Sequence, residues 1–382
     1  MAGLTLAGLL GRQGFAVTVI DRENPQEMAT EIFDARTVAL SAGTKAILGP
    51  LDIWDKILPH AAAITEIDVQ EGHDPFLLNF KADAVEAEAF GWIFPNNIVR
   101  GMLYQKARDE GVGFIQGVLK DIRTEDGIVT ALLQSGEAMT AKLLVGADGR
   151  GSRVRNLSGI DTVDLSYRQT ALVGLVEHEH PHNGLAVERF YPRGPFAILP
   201  FTDGEDGRHR SAVVWTQDDK HMDPRFQNKD TGFITEKLGP LFDDRYGKVT
   251  AVGKWAQYPL SLCHAKQFIG NRIALISDAA HAIHPIAGQG LNLGMRDVDV
   301  LTRLLANAAL AGIDIGGEAL LSDYQRQRRF DVFAMVAATD LLNRLFGSKL
   351  RGMGRVRNAG LGMVDRIRPL KKFFMRTAMG QS

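Results

Sequence analysis

The residues best suited to chemistry in this 382-residue chain gather in one stretch, Arg272 to Val300. It carries a carboxylate (Asp278), two histidines (His281 and His284), a proline (Pro285) and the glycine pair Gly288-Gln289-Gly290. A carboxylate at the end of a strand is placed to hydrogen-bond a sugar or ribityl hydroxyl. Glycines let bare backbone N–H groups approach a planar ligand, and a helix start adds partial positive charge. That combination suits a flavin, whose N1–C2=O edge becomes negative on reduction. The elements needed to position these groups can be read in the same stretch. Arg272–Ile276 is a short apolar, β-branched run that reads as a buried strand. The loop Ser277-Asp278-Ala279-Ala280-His281 follows, then a Pro/Gly turn, then a helix from near Leu291 with Val298, Leu301 and Leu305 on one face.

Two further segments read as nucleotide-binding. Gly146-Ala147-Asp148-Gly149-Arg150-Gly151-Ser152-Arg153-Val154-Arg155 follows the apolar run Leu143–Val145. A Gly-rich turn opening a helix is a ready anion site, with Asp148 and Gly149 at the turn and Arg155 facing back from the next one. A dinucleotide fingerprint needs a strand, G-x-G-x-x-G, a helix, and an acidic residue about 20 positions on. The opening Met1–Leu10 reads as the last three positions of that pattern and the helix behind it, with Gly3 as the final glycine. Ala7, Leu10 and Gly14 continue the close-packed face, Phe15–Ile20 is the next strand, and Asp21 ends it as the partner of the adenosine ribose hydroxyls. The first strand and the first two glycines of the pattern do not occur in the sequence. The expectation is a start assigned too late, at an internal Met; the alternative is a chain lacking part of its nucleotide site. Without that strand the parallel sheet has unpaired edges where burial is greatest, the pyrophosphate loses backbone N–H groups, and nucleotide binding is weak.

Together these segments resemble the three FAD motifs of the single-component flavoprotein aromatic hydroxylases. The likeness is greatest to the ubiquinone-biosynthesis hydroxylases, which carry nearly this wording at His281, Pro285 and Gly288-Gln289-Gly290-Leu291-Asn292. It extends through Ala186-Val187-Glu188-Arg189-Phe190, Gly194–Pro200, Val213–Thr216 and the tail Tyr324–Gly380, and is weakest over 60–90 and 218–250. The resemblance implies a bound FAD. Asp278, Gly288, Gln289, Gly290, Leu291 and Asn292 then lie against the flavin, Gly3 and Asp21 hold the ADP part, and Asp148 and Gly149 lie beside the pyrophosphate. It also places Arg36 over the isoalloxazine region, Arg100 toward the pyrophosphate, and Pro285 at the re face, where oxygen reacts. His281 and His284 flank the loop and orient it by hydrogen bonding more than they act as bases; Pro285 and His281 are the candidate catalytic positions. Ser277 departs from the family, which usually has Gly before Asp278, and is expected to crowd the backbone or force a different φ.

The implied activity is hydroxylation of the aromatic ring of a polyprenylated phenol on the route to ubiquinone. NAD(P)H or another donor reduces FAD, O2 gives a C4a-hydroperoxyflavin, and the electron-rich ring attacks the distal oxygen. The protein's work is positional, so no acid–base residue stands out. A second dinucleotide fingerprint is absent, so the donor has no Rossmann domain of its own. Two alternatives stay open: a hydroxylase of a small soluble aromatic acid, and a non-catalytic subunit of a quinone-biosynthesis complex.

Composition sets the remaining bounds. With 45% hydrophobic residues the chain can bury a large core in two or three domains. A net charge of −1 gives no general attraction to nucleic acid. A single cysteine, Cys263, excludes a disulfide framework and Cys-based metal sites and suits a reducing cytoplasm. His178, His180 and His182 surround Pro181 and read as an exposed turn, not a metal site. No apolar run reaches the ~18 residues of a membrane span, and no signal peptide is recognisable.

The expected fold is α/β: a Rossmann-like FAD domain built from 1–66, 95–160 and 263–345, interrupted by an antiparallel substrate domain from 67–94 and 161–262. A C-terminal amphipathic helical region fills 346–382. Between Lys349 and Arg376 lie nine Lys/Arg and one acidic residue, Asp365, interleaved with apolar side chains. Such a segment reads as an interfacial helix on an anionic membrane surface, or as a helix packed on the body. The corresponding expectation is a cytoplasmic protein held peripherally at the inner face of the membrane. It would bind the membrane or other quinone-biosynthesis proteins through 349–376, and a homodimer is compatible with it.

Overall fold

A computed structural model describes residues 1–24, 27, 36–72, 77–283, 288–347 and 379–380. Pro285 and His284, named above, lie outside the described residues, as does the basic segment 349–376.

The chain opens with α1 (Ala2–Arg12), β1 (Thr18–Asp21), β2 (Thr37–Ser41), α2 (Ala42–Leu48), β3 (Ala62–Ile64), β4 (Glu66–Glu71) and β5 (Leu77–Lys81). Then come β6 (Gly91–Pro95), α3 (Asn96–Asp109), β7 (Gly113–Gln116), β8 (Leu119–Glu125), β9 (Ile128–Leu133), β10 (Ala138–Ala141), β11 (Leu144–Gly146) and α4 (Arg153–Leu157). The long strands β12 (Thr162–His178), β13 (Leu185–Tyr191), β14 (Gly194–Phe201) and β15 (His209–Asp218) precede α5 (Thr231–Leu238) and β16 (Val249–Ala265). Strands β17 (Ile269–Gly270), β18 (Ile273–Leu275) and β19 (His281–Ala282) lead into α6 (Gln289–Leu310) and α7 (Glu318–Gly347).

Among the described residues the parallel sheet is in two pieces. β1 pairs with β7, and β11 pairs with β18, which pairs in turn with β17. Val19 and Ile20 of β1 and Leu144 and Val145 of β11 are only partly buried, whereas the interior strand β18 is buried throughout. In a parallel sheet covered on both faces, interior strands are buried. The pieces are bridged by α1: a Cβ on Gly3 would lie 3.0 Å from the Ala147 Cβ, so a side chain there would push the helix off the end of β11.

The eight-stranded sheet β19-β16-β12-β15-β14-β13-β4-β5 forms the second body. Strand β6 does not belong to it; it pairs with β2 and β3, so the nucleotide domain claims the end of the 67–94 segment. Conversely, β19 is a strand of the eight-stranded sheet although its sequence belongs to the flavin loop. The outer face of this sheet packs Leu172, Val187, Phe196, Ile198, Val213 and Trp255 against Ile234 and Leu238 of α5. Its inner face contributes Leu175, Ala186 and Ala212 to a cluster with Ile64, Phe90, Ile93 and Met379 from the other body. The alternation along each strand puts every second residue on each face.

Candidate functional site

The loop after β18 is held from behind by α6. Ser277 adopts φ +56°, the left-handed region, which costs a non-glycine residue about 1 kcal/mol. The expected crowding is relieved by a glycine across the groove. A Cβ on Gly294 of α6 would stand 2.4 Å from Ser277 Oγ and 2.7 Å from its Cβ, so the space Ser277 needs is left open there. The Ser277 N–H donates to Asp297 Oδ2 at 2.7 Å.

Asp297 is the hub of this support. Fully buried, it also accepts from Arg328 Nε at 2.6 Å through Oδ1, and its Oδ2 lies 2.6 Å from His281 Nε2. Burial opposes the carboxylate, but His281, Arg328 and the Ser277 N–H more than offset it, and its pKa is lowered. Arg328 Nη1 reaches Asp331 at 2.6 Å, and Asp331 also takes Arg296 Nη1 at 2.8 Å. His281 is 0% exposed and its Nε2 is bound to Asp297, an arrangement that orients the loop. Asp297 and Arg328 escaped the sequence reading, although Asp297 lies four residues from both Leu293 and Leu301 on the apolar face of α6. A charge at such a position signals a buried partner.

Asp278 stands differently. Its carboxyl is partly open and has no hydrogen-bond partner among the described residues. Burial raises its pKa, with His281, Arg150 and the Met1 amino group pulling the other way. An acceptor of this kind is available to a ligand hydroxyl.

The middle motif closes on the same loop. Asp148 accepts from Ser152 Oγ at 2.5 Å, Arg153 N at 2.7 Å and Val154 N at 3.2 Å, so its carboxylate caps α4 and holds the turn. Gly149, at φ +77°, leaves the turn's backbone bare. Arg155, buried, donates to the Ala279 carbonyl at 2.9 Å and the Arg150 carbonyl at 2.8 Å, tying the middle motif to the flavin loop.

The remaining predicted residues converge on the start of α1. Arg100, Asp21, Asp278 and Arg36 all act electrostatically on the Met1 amino group, whose pKa is lowered chiefly by burial. Asp21 ends β1 and takes the Glu23 N–H at 3.1 Å through Oδ1. Arg100 is buried on α3, while Arg36 is exposed where its carbonyl meets the Asn96 N–H at 3.2 Å.

At the start of α6, Gly288 takes the left-handed φ of +63° and lies against Ala39, and Gly290 faces open space. Gln289, Gly290 and Leu291 form the first turn, whose N–H groups point out of the helix start. The Asn292 side chain faces inward: its Oδ1 accepts from Ser41 N at 2.9 Å and Thr44 Oγ1 at 2.7 Å, and its Nδ2 donates to the Ala39 carbonyl at 3.0 Å. Asn292 thus fixes the β2–α2 junction against the start of α6.

These residues fit FAD. A partly open carboxyl with no partner among the described residues, a left-handed glycine and the helix start that follows on the same stretch of chain are the donor and acceptor set that a flavin and its ribityl chain require. When bound, FAD supplies electron transfer and oxygen activation.

Comparison with known proteins agrees. The family model described as an FAD binding domain matches residues 1–339. The ubiquinone hydroxylase UbiL of Rhodospirillum rubrum is 38% identical over 382 residues, spanning 100% of this chain and 87% of the relative. The 3-demethoxyubiquinol 3-hydroxylase of Escherichia coli is 32% identical over 384 residues, spanning 100% of this chain and 96% of the relative. Among solved structures, p-nitrophenol 4-monooxygenase PnpA of Pseudomonas putida superposes with a TM-score of 0.81 at 19% identity, covering 99% and 95% of the two chains. At that identity the likeness speaks to the fold alone. The chain belongs to the FAD binding domain family and, within it, to the flavoprotein hydroxylases that include the ubiquinone hydroxylases.

Proposed function

We propose that this protein hydroxylates the aromatic ring of a polyprenylated phenol in ubiquinone biosynthesis, using FAD, O2 and NAD(P)H. The observation that carries the reading is whole-length identity of 38% and 32% to two ubiquinone-ring hydroxylases, together with FAD motifs brought to one place in space. The inner face of the eight-stranded sheet supports a lipid-like substrate. Across β4, β14 and β15 it presents the partly open Ile67, Val69, Leu199 and Val214, backed by the buried Ala186, Ala197 and Ala212. The cation on this stretch, Arg210, lies at the Phe201 end and donates to the Thr202 and Asp203 carbonyls. A small aromatic acid would need a cation free for its carboxylate, and among the described inner-face residues of β4, β13, β14 and β15 Arg210 is already engaged, which disfavours that alternative.

The residues' work is to bind and orient. Asp278 accepts from the ligand's hydroxyls, the α6 start faces the flavin edge that gains charge, and Asp297, Arg155 and Asn292 hold the three backbone segments in place. The basic segment 349–376 would dock on an anionic membrane surface or on partner proteins of the same pathway, and the protein would act at the cytoplasmic face. The alternative is a non-catalytic subunit of a quinone-biosynthesis complex. One experiment separates them: the purified chain is titrated with FAD, then supplied with NAD(P)H, isotopically labelled O2 and a prenylated phenol. Label in the ring hydroxyl of the product supports the enzyme reading. A folded chain that neither binds FAD nor labels the phenol supports the subunit reading.

A further inference from the structure

The inner face of the substrate sheet contains one feature that a purely lipid-binding surface does not need. Glu188 of β13 lies between Val69 of β4 and Ala197 of β14 in register. Its same-face neighbours along the strand are Ala186 and Phe190, both buried. Among the described residues its carboxyl has no hydrogen-bond or ion-pair partner, yet the side chain is partly open. Arg189, the next residue, faces the opposite side, where it donates to Gln70 Oε1 at 3.2 Å and pairs with Asp243, so it gives Glu188 no support.

The position of this carboxyl ties it to the flavin loop. Ala186, two residues away on the same face, belongs to a cluster that includes Ala39 and Ala42. Ala39 in turn lies 3.2 Å from where a Cβ of Gly288 would sit. An apolar floor thus runs from the start of α6 to the strand that carries Glu188. Burial alone raises the Glu188 carboxyl to about 7. The charged groups sharing this face on β4, β12 and β15 are Glu71, Glu177, Arg210 and Asp218, and none of them contributes to that shift. From the nucleotide domain, β3, β6 and α2 bring Ile64, Ile93 and Ala42, all apolar.

We propose that Glu188 receives the ring hydroxyl of the substrate, accepting its hydrogen bond and then its proton. This rests on the hydroxylase reading and adds to it the group that selects a phenol. In the step itself the phenolic O–H bond breaks and the proton passes to a Glu188 oxygen. The bonding pair stays on the ring oxygen, where it enriches the ring carbons that are to be oxygenated. The ring regains its aromaticity by losing the proton of the oxygenated carbon, which goes to the oxygen the oxidant retains, while the Glu188 proton returns to the ring oxygen, so no net charge is left in the apolar site.

The test is calorimetric binding of a long-chain 4-alkylphenol and of its methyl ether to the FAD-supplied full chain between pH 5.5 and 8.5. The wild-type protein should prefer the phenol by roughly tenfold at the alkaline end, as expected for a hydrogen bond to a carboxylate. The preference should shrink as the pH falls through about 7, because the protonated acid donates equally well to either oxygen. Glu188→Leu should bind both compounds alike at every pH. Glu188→Gln, which keeps the shape and an acceptor oxygen, should retain a preference that no longer changes with pH. An unchanged, pH-dependent preference in both variants overturns the proposal and leaves the hydroxylase reading standing. Failure of the wild-type chain to bind either compound overturns both.

Discussion

Asp297 and His281 are both wholly buried, and their facing atoms, Oδ2 and Nε2, lie 2.6 Å apart. The contact joins the middle of α6 to the flavin loop. Together with Arg328 it makes the shape of that loop depend on a charge network with no exposed member at its centre.

Replacing Asp297 with Ala leaves Arg328 Nε, His281 Nε2 and the Ser277 N–H without their buried partner, Arg328 keeping only Asp331. Breaking a buried pair in this way costs about 3–5 kcal/mol, to be read as a lower urea midpoint at unchanged slope. Asp297→Asn should cost less, since it can still accept from the Ser277 N–H. The folded-state pKa of Asp297 is depressed, so its stabilisation is present above the ordinary aspartate value of about 4 and is lost as the pH falls below it. Thermal melts of wild type and Asp297→Asn should therefore converge in acid.

Asp278 has the opposite linkage. Burial raises its pKa, so at neutral pH the ionised carboxyl works against folding. Asp278→Asn should raise the melting temperature of the FAD-free chain at pH 7 while weakening FAD, by about tenfold for a charged hydrogen bond lost. Flavin fluorescence titration and a thermal scan on the same sample check both halves. A variant that loses FAD affinity together with stability would assign Asp278 a structural role.

Ser277 and Gly294 should be coupled. Gly294→Ala places a methyl group 2.4 Å from Ser277 Oγ and should destabilise the chain by about 1–3 kcal/mol through overpacking. Ser277→Gly alone should be neutral or stabilising, because the left-handed φ then carries no penalty. The double variant should recover part of the loss, since the Ser277 side chain is gone but its Cα, 3.0 Å from the added methyl, is not. Strict additivity in the urea midpoints would show that the two sites do not interact.

Arg155 should matter to FAD without touching it. Arg155→Lys keeps the charge but cannot span the Ala279 and Arg150 carbonyls in one plane. The expected result is a folded chain with FAD affinity reduced several-fold, measured by equilibrium dialysis.

The basic segment makes a salt-dependent prediction. If 349–376 docks on anionic lipid, cosedimentation with phosphatidylserine vesicles should fall steeply between 0.05 and 0.5 M NaCl. Charge reversal at Lys371 and Lys372 should weaken it further, with FAD content unchanged. Binding that is indifferent to salt and to these charges would exclude electrostatic docking.

Much of this site was legible in the sequence because its backbone is contiguous. Asp278, Gly288 and Gly290 sit on one loop and one helix start, so their spacing alone implied a flavin edge. The supports were harder to read. Asp297 reaches the loop from α6, backed by Arg328 from α7, and a charged residue on a helix is ordinarily taken as solvent-facing. The side chains of Asp148 and Asn292 are engaged with backbone and neighbouring side chains, which chain order does not reveal. Strand β6 was grouped with the substrate insert because its run of apolar residues suits either sheet; its partner β2 lies some fifty residues earlier. The alternation in β12–β16, by contrast, marked the antiparallel sheet directly.

The pairing of β19 with β16 reaches beyond the sheet. Because Ala282 is laddered to Cys263 and His281 to His264, the backbone that shapes the cofactor pocket is itself the last rung of the substrate sheet. The two bodies cannot hinge apart along this seam without breaking that ladder and pulling His281 away from Asp297. Mobility needed to admit a bulky substrate must therefore lie elsewhere along the boundary, and the seam is a fixed joint.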